Sequence, residues 1–246
     1  MCALFDSRFN KMAQVIVNYS LEVKPGQWVY VWSQTAAAPL MLEVYKEVLK
    51  AGGNAFLRAD IPGAAELLMQ HGEGAQLDQV SPVDEVSVEP GKFDAYVRIH
   101  AESNTRKLTN ADPDKMQRAQ KAMGPILDKR LKRASQGTYN WVVSLFPTDA
   151  FAMDADMSLD EFSEFVFSAC LVNDADPVAS WCEYRDRQAR YVDFLNGKKR
   201  VDLRGANFDL SMSIEGRTFL NSHGRRNFPD GEIYTGPVEE SVEGWI

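Results

Sequence analysis

Between residues 230 and 243 the chain carries five carboxylates: Asp230, Glu232, Glu239, Glu240 and Glu243. The first follows Pro229 and precedes Gly231, so the group opens on a turn. Carboxylates at a turn or strand end suit hard or borderline divalent cations. Solvated surface acids are the plainer reading of the same spacing. A second acidic group, Asp149, Asp154 and Asp156, lacks the spacing and closing glutamate of a calcium loop. It is expected to form an acidic loop that caps the following helix.

The remaining reactive residues are sparse. His71 lies in a Gly-rich loop, and His100 follows a strand-like run. The carboxyl ends of parallel strands are where open α/β sheets bind ligands, which singles out His100. A solvated or core-satisfied ring is the competing reading. His223 stands in a turn before Gly224-Arg225-Arg226 and is expected to be solvated. Cys170 and Cys182 fall on apolar helix faces and read as inert thiols; Cys2 is at a terminus expected to be mobile. No residue has a positioned base beside it, so no catalytic residue is assigned.

Familiar nucleotide and nucleophile motifs are absent: there is no GxGxxG, GxxxxGK[ST], GxSxG or HExxH. The 246 residues carry 27 Lys and Arg against 35 Asp and Glu, a net charge of −8. That balance argues against nucleic-acid or anionic-membrane partners. Lys115, Arg118, Lys121, Lys129, Arg130, Lys132 and Arg133 form a basic helix without aromatics, which reads as a solvated face. Three cysteines without a CxxC pair fit a reducing compartment, and the cytoplasm is expected.

The elements that must position these residues divide into two patterns. Over residues 9–195, helical and strand periodicities alternate. A helix over 9–23 ends at Lys24-Pro25-Gly26, and a strand follows over Gln27–Trp32. Thr35 is the expected N-cap of a helix ending at Gly52-Gly53, and Asn54–Arg58 is the next strand. Short helices and loops fill 61–90. Strands over 93–99 and 139–146 flank a helix over 113–134. Helices follow over 158–171, opened by a Ser158/Glu161 capping box, and 177–195. Strands separated by helices predict a parallel sheet with helical crossovers.

After Gly197 the period becomes two. Phe208, Leu210, Met212 and Ile214 alternate with polar residues, an antiparallel signature. The reading is therefore an N-terminal α/β domain over 1–197, then over 198–246 the first antiparallel strands of an incomplete, truncated second domain.

One stretch is distinctive: Asn227-Phe228-Pro229-Asp230-Gly231-Glu232-Ile233-Tyr234-Thr235-Gly236-Pro237-Val238-Glu239. It resembles the NxPxGE(V/I)(F/Y)T(A/G)P motif of the thermophilic metallo-aminopeptidases of the aminopeptidase T and aminopeptidase S type. Tyr19-Ser20, Val23–Gly26, Pro147-Thr148, Met157–Leu159, Asp176-Pro177, Trp181 and Ile214–Arg217 resemble other parts of that family, in order. Phe208-Asp209-Leu210 and Met153 depart from its pattern without touching the motif.

The resemblance implies removal of N-terminal residues from peptides by two divalent ions, zinc, cobalt or similar, in a homodimer. It places the first metal ligand on Glu232. It implies that the other ligands lie beyond Ile246, so that this stretch alone is inactive. Arg217 and Asp230 are supporting candidates. The alternative is a non-catalytic α/β module that binds a small molecule or partner at the sheet edge, near Ser33, Gln34, His100 and Ser103.

Overall fold

The computed structural model describes residues 6–246, so Cys2 lies outside the described residues. Four parallel strands build the main sheet: β1 (Trp28–Gln34), β2 (Asn54–Asp60), β3 (Ala95–His100) and β4 (Asn140–Leu145). Their spatial order is β2-β1-β3-β4. The alternation of Val29 and Val31 with Tyr30 and Trp32 explains why the sheet is buried on both sides.

Val29, Val31, Val97, Ile99 and Val142 are fully buried on one face. Against that face pack residues of α1 (Arg8–Gln14), α2 (Ala38–Lys50), α8 (Leu159–Ala169) and α9 (Pro177–Leu195). The other face gathers Tyr30, Tyr96 and Tyr139 with Trp32, Phe93 and Trp141. Val83, from α5 (Pro82–Ser87), packs there too, and α6 (Pro113–Ser135) lays arginines over the tyrosine rings. Two short helices, α3 (Ala64–His71) and α4 (Ala75–Asp78), fill the connection after β2. The α/β class with helical crossovers is therefore as the sequence implied.

Four local readings need correction. The helix expected over 9–23 ends at Gln14 and continues as a π-helical turn over Val15–Ser20. The wider turn brings Val15, Ile16, Val17, Tyr19 and Ser20 all into the interior, which an α-helical stripe does not do. Thr35 does not cap α2. It opens a 3₁₀ turn, and Pro39 sits in the first turn of the helix without a side-chain cap.

The acidic loop expected over 149–156 is largely a helix, α7 (Asp149–Asp154), whose first turn is capped when Thr148 Oγ1 accepts from the Phe151 N–H at 3.3 Å. On α6, Lys121, Lys129 and Lys132 are exposed as expected, but Arg133 is buried. Its guanidinium donates to the carbonyls of Glu89, Phe93 and Thr138. The Ser158/Glu161 capping box is present on α8.

Residues 200–245 form two small antiparallel sheets. β5 (Arg200–Gly205), β6 (Phe208–Ser213) and β10 (Glu243–Trp245) make one, with Val201 opposite Met212 and Leu203 opposite Leu210. β7 (Leu220–Ser222) and β9 (Glu232–Tyr234) make the other. Between those two strands, β8 (Asn227–Phe228) returns to the main sheet and pairs in parallel with β4. The Val143 N–H donates to the Arg226 carbonyl at 2.7 Å.

Candidate functional site

Glu232 opens β9 opposite Ser222 and is exposed. The backbone that leads to it is held from several directions. Phe228 is 1% exposed, and its ring meets Trp181 edge-on at 5.7 Å. Asp230 closes the turn: Oδ2 accepts from the Ser222 hydroxyl at 2.6 Å, and Oδ1 accepts from the Gly231 N–H at 2.8 Å.

Gly231 has φ of 156°, and a Cβ there would lie 2.6 Å from the Tyr184 hydroxyl oxygen. That hydroxyl donates to the Gly231 carbonyl at 3.3 Å. The close approach explains why glycine stands between Asp230 and Glu232.

The five carboxylates do not converge. Glu243 lies on β10, in a different sheet from Glu232, and Glu239 and Glu240 sit in an exposed 3₁₀ turn. Among the described residues no three His, Cys, Asp or Glu side chains form a group able to hold a metal. Asp230 is a turn cap, and Arg217 is exposed with its N–H donating to the Ile214 carbonyl. These residues therefore do not fit a complete metal centre. They present one candidate ligand on a fixed backbone.

The histidines separate. His71 and His100 are exposed, on the last turn of α3 and at the end of β3. His223, expected to be solvated, is half-buried. Its Nδ1 lies 2.6 Å from the Tyr19 hydroxyl, and burial lowers its pKa from the usual imidazole value. Ser20 donates to the Gly224 carbonyl at 2.6 Å. Both contacts join residues 204 apart, beyond any sequence periodicity. Cys170 is buried, and burial raises the pKa of its thiol, so little of it is ionised.

The sheet edge considered as a small-molecule site contains a cavity of about 480 Å³. Gln34, Ser103, Glu102 and Lys107 line it, whereas Ser33 and His100 do not. Ser33 is buried and donates to the Ile99 carbonyl. The polar groups at the cavity pair with one another: Gln34 Nε2 donates to Glu102 Oε1 at 2.7 Å, and Lys107 pairs with the same carboxylate.

No helix among the described residues is long and apolar enough to cross a membrane.

Comparison with known proteins matches these features to one group. Aminopeptidase 2 of Geobacillus stearothermophilus is 23% identical over 98% of this chain and 63% of its own length. Aminopeptidase T of Thermus aquaticus is 23% identical over 98% of this chain and 64% of its own length. The solved structure of wild-type AmpT from Thermus thermophilus shares the fold, with a TM-score of 0.78 at 21% identity. That likeness covers 96% of this chain and 63% of the AmpT chain. The chain thus spans a little under two thirds of the length of the relatives it matches. The sequence model of the family described as thermophilic metalloprotease (M29) matches residues 5–246. This chain belongs to the thermophilic metalloprotease (M29) family.

Proposed function

We propose that the whole protein carrying this chain is a metal-dependent aminopeptidase that removes N-terminal residues from peptides, with Glu232 as one ligand to a pair of divalent ions. The observation that carries the reading is the placement of Glu232. It is exposed at the start of β9, immediately after a turn fixed by Ser222, Asp230 and Tyr184. A ligand on a backbone held this way loses little main-chain freedom on binding a cation.

Two divalent ions, when bound, would polarise the scissile carbonyl and acidify a water near neutral pH, with Glu232 the residue of this chain that would help hold them. The chain's own contribution is to fix the backbone from which the Glu232 carboxylate projects. The partners that complete the centre belong, in this reading, to chain beyond residue 246. Zinc or cobalt and a homodimer complete the proposal on the strength of the family resemblance, and a cytoplasmic setting on the cysteine usage.

The test is metal titration of the whole protein against its Glu232→Gln variant, with turnover of an N-terminal leucine substrate measured in parallel. Glutamine keeps the shape and removes the charge. The reading expects metal affinity and turnover to fall together. Unchanged metal affinity in Glu232→Gln refutes it. The 246 residues alone are expected to show no turnover, because one carboxylate does not hold two ions.

A further inference from the structure

We propose that Tyr19 and His223 are positioning residues: their hydrogen-bonded pair, reinforced by Ser20 on Gly224, docks the β7–β9 hairpin onto the π-helical turn and so sets where Glu232 stands. The inference rests on the reading of Glu232 as a metal ligand.

The geometry supports a built anchor. Tyr19 is 3% exposed, and its hydroxyl reaches both Nδ1 of His223 at 2.6 Å and the His223 carbonyl at 3.0 Å, with the Trp181 carbonyl further off at 3.3 Å. One hydroxyl proton cannot serve both. The two contacts are satisfied together when Nδ1–H of His223 donates to the Tyr19 oxygen and the Tyr19 hydroxyl donates to the carbonyl. The pair thus closes a ring between one side chain and one residue's backbone and imidazole. Burial pushes the Tyr19 pKa up to about 12, which keeps its proton in place near neutrality.

Around this ring the contacts continue. The Ser20 hydroxyl donates to the Gly224 carbonyl. Gly224 has φ of 88°, and a Cβ there would lie 3.0 Å from the Trp181 ring. Arg225 pairs with Glu22 at 2.5 Å. All three points lie between β7 and β8, at the start of the connection between the hairpin strands, next to the Ser222–Glu232 pair. The π-helical turn is what presents Tyr19 and Ser20 together on the inward side.

A ligand carried by a segment that is docked only part of the time binds more weakly in proportion to the docked fraction. Tyr19→Phe removes one hydroxyl and keeps the ring, and losing that hydrogen bond is expected to weaken the docking equilibrium constant roughly three- to tenfold, which sets the upper bound on the loss in docked fraction. The experiment titrates zinc into the whole protein and its variants by calorimetry, well below their unfolding temperatures. Tyr19→Phe and His223→Ala are expected to bind zinc measurably more weakly, by up to roughly tenfold. His223→Asn, which keeps a side-chain donor near the Nδ1 position, is expected to recover most of that loss. Ser158→Ala, which weakens the α8 cap far from the hairpin, is expected to leave zinc affinity unchanged.

Amide hydrogen exchange on the 246-residue chain gives a second readout that needs no metal. The amides of 220–222 and 232–234 should exchange faster in Tyr19→Phe and not in Ser158→Ala. If Glu232→Gln weakens zinc binding while Tyr19→Phe and His223→Ala do not, the anchor is overturned and the ligand reading stands. If Glu232→Gln binds zinc as the parent does, the ligand reading falls and takes the anchor's purpose with it. Unchanged exchange over 220–234 in Tyr19→Phe overturns the anchor on structural grounds alone.

Discussion

Replacing Phe228 by alanine removes a ring that is 1% exposed, packs on Trp181 at 5.7 Å and belongs to a strand only two residues long. Large-to-small changes at such sites cost about 3–5 kcal/mol, the transfer term plus the cavity left behind. The short pairing with β4 offers little backbone to hold the segment once the ring is gone. The expected cost therefore lies in the upper part of that range. For a chain of this size each kcal/mol lowers Tm by about 2–4 °C, so a drop of roughly 8–20 °C is expected.

The assay is urea and thermal unfolding of the 246-residue chain, followed by circular dichroism and by tryptophan fluorescence, to which Trp181 is one of five contributors. Phe165→Ala is the control, because Phe165 is 60% exposed and its truncation should change stability by about 0.5 kcal/mol or less. Equal losses in the two variants, or a Phe228→Ala chain within about 1 kcal/mol of the parent, refute the placement of β8 in the main sheet.

Three further outcomes follow from local chemistry. Ser158→Ala should cost about 1 kcal/mol by removing the hydroxyl that accepts from the Glu161 N–H, while the Ser158 N–H can still donate to the Glu161 carboxylate; it is read as a small loss in the urea midpoint. Cys182 should be alkylated by iodoacetamide well before Cys170, because Cys170 is buried with its thiol pKa raised, and mass mapping of the modified chain checks the order. The hydrogen bond from Arg8 holds the Asp6 pKa below the usual carboxylate value. A depressed folded-state pKa gives stability that is present above the unfolded value and lost as pH falls through the folded one. The difference in stability between the parent chain and Asp6→Asn should therefore shrink below about pH 4, followed by unfolding at stepped pH.

The sheet was legible because its strands are apolar runs bounded by turn residues, as Trp28–Gln34 and Ala95–His100 show. The capping box at Ser158 was legible for the same reason: its partners are three residues apart. The π-helical turn was not. Val15, Ile16 and Val17 satisfy a helical period closely enough to hide the extra residue, and the partners that Tyr19 and Ser20 meet on the wider turn are in the 223–224 segment far along the chain.

Arg133 was misread because a basic helix looks solvated until carbonyls from residues 89, 93 and 138 are brought around it. Glu232 could be named from its motif, but the hydrogen bonds that fix its approach depend on Ser222 and Tyr184, whose roles no local spacing reveals.

The return of β8 to the main sheet also has a consequence for how the chain is made. β4 is complete at residue 145, yet the strand that covers its open edge arrives only at 227–228. During synthesis, an interval of some eighty residues passes in which the Val143–Ser144 edge has backbone groups ready to pair and no intramolecular strand to receive them. A nascent chain stalled near residue 200 would present that edge to any neighbour, whereas one extended past residue 228 would not. The short strand thus acts as a late closure, protecting the sheet against pairing with other chains as much as extending it.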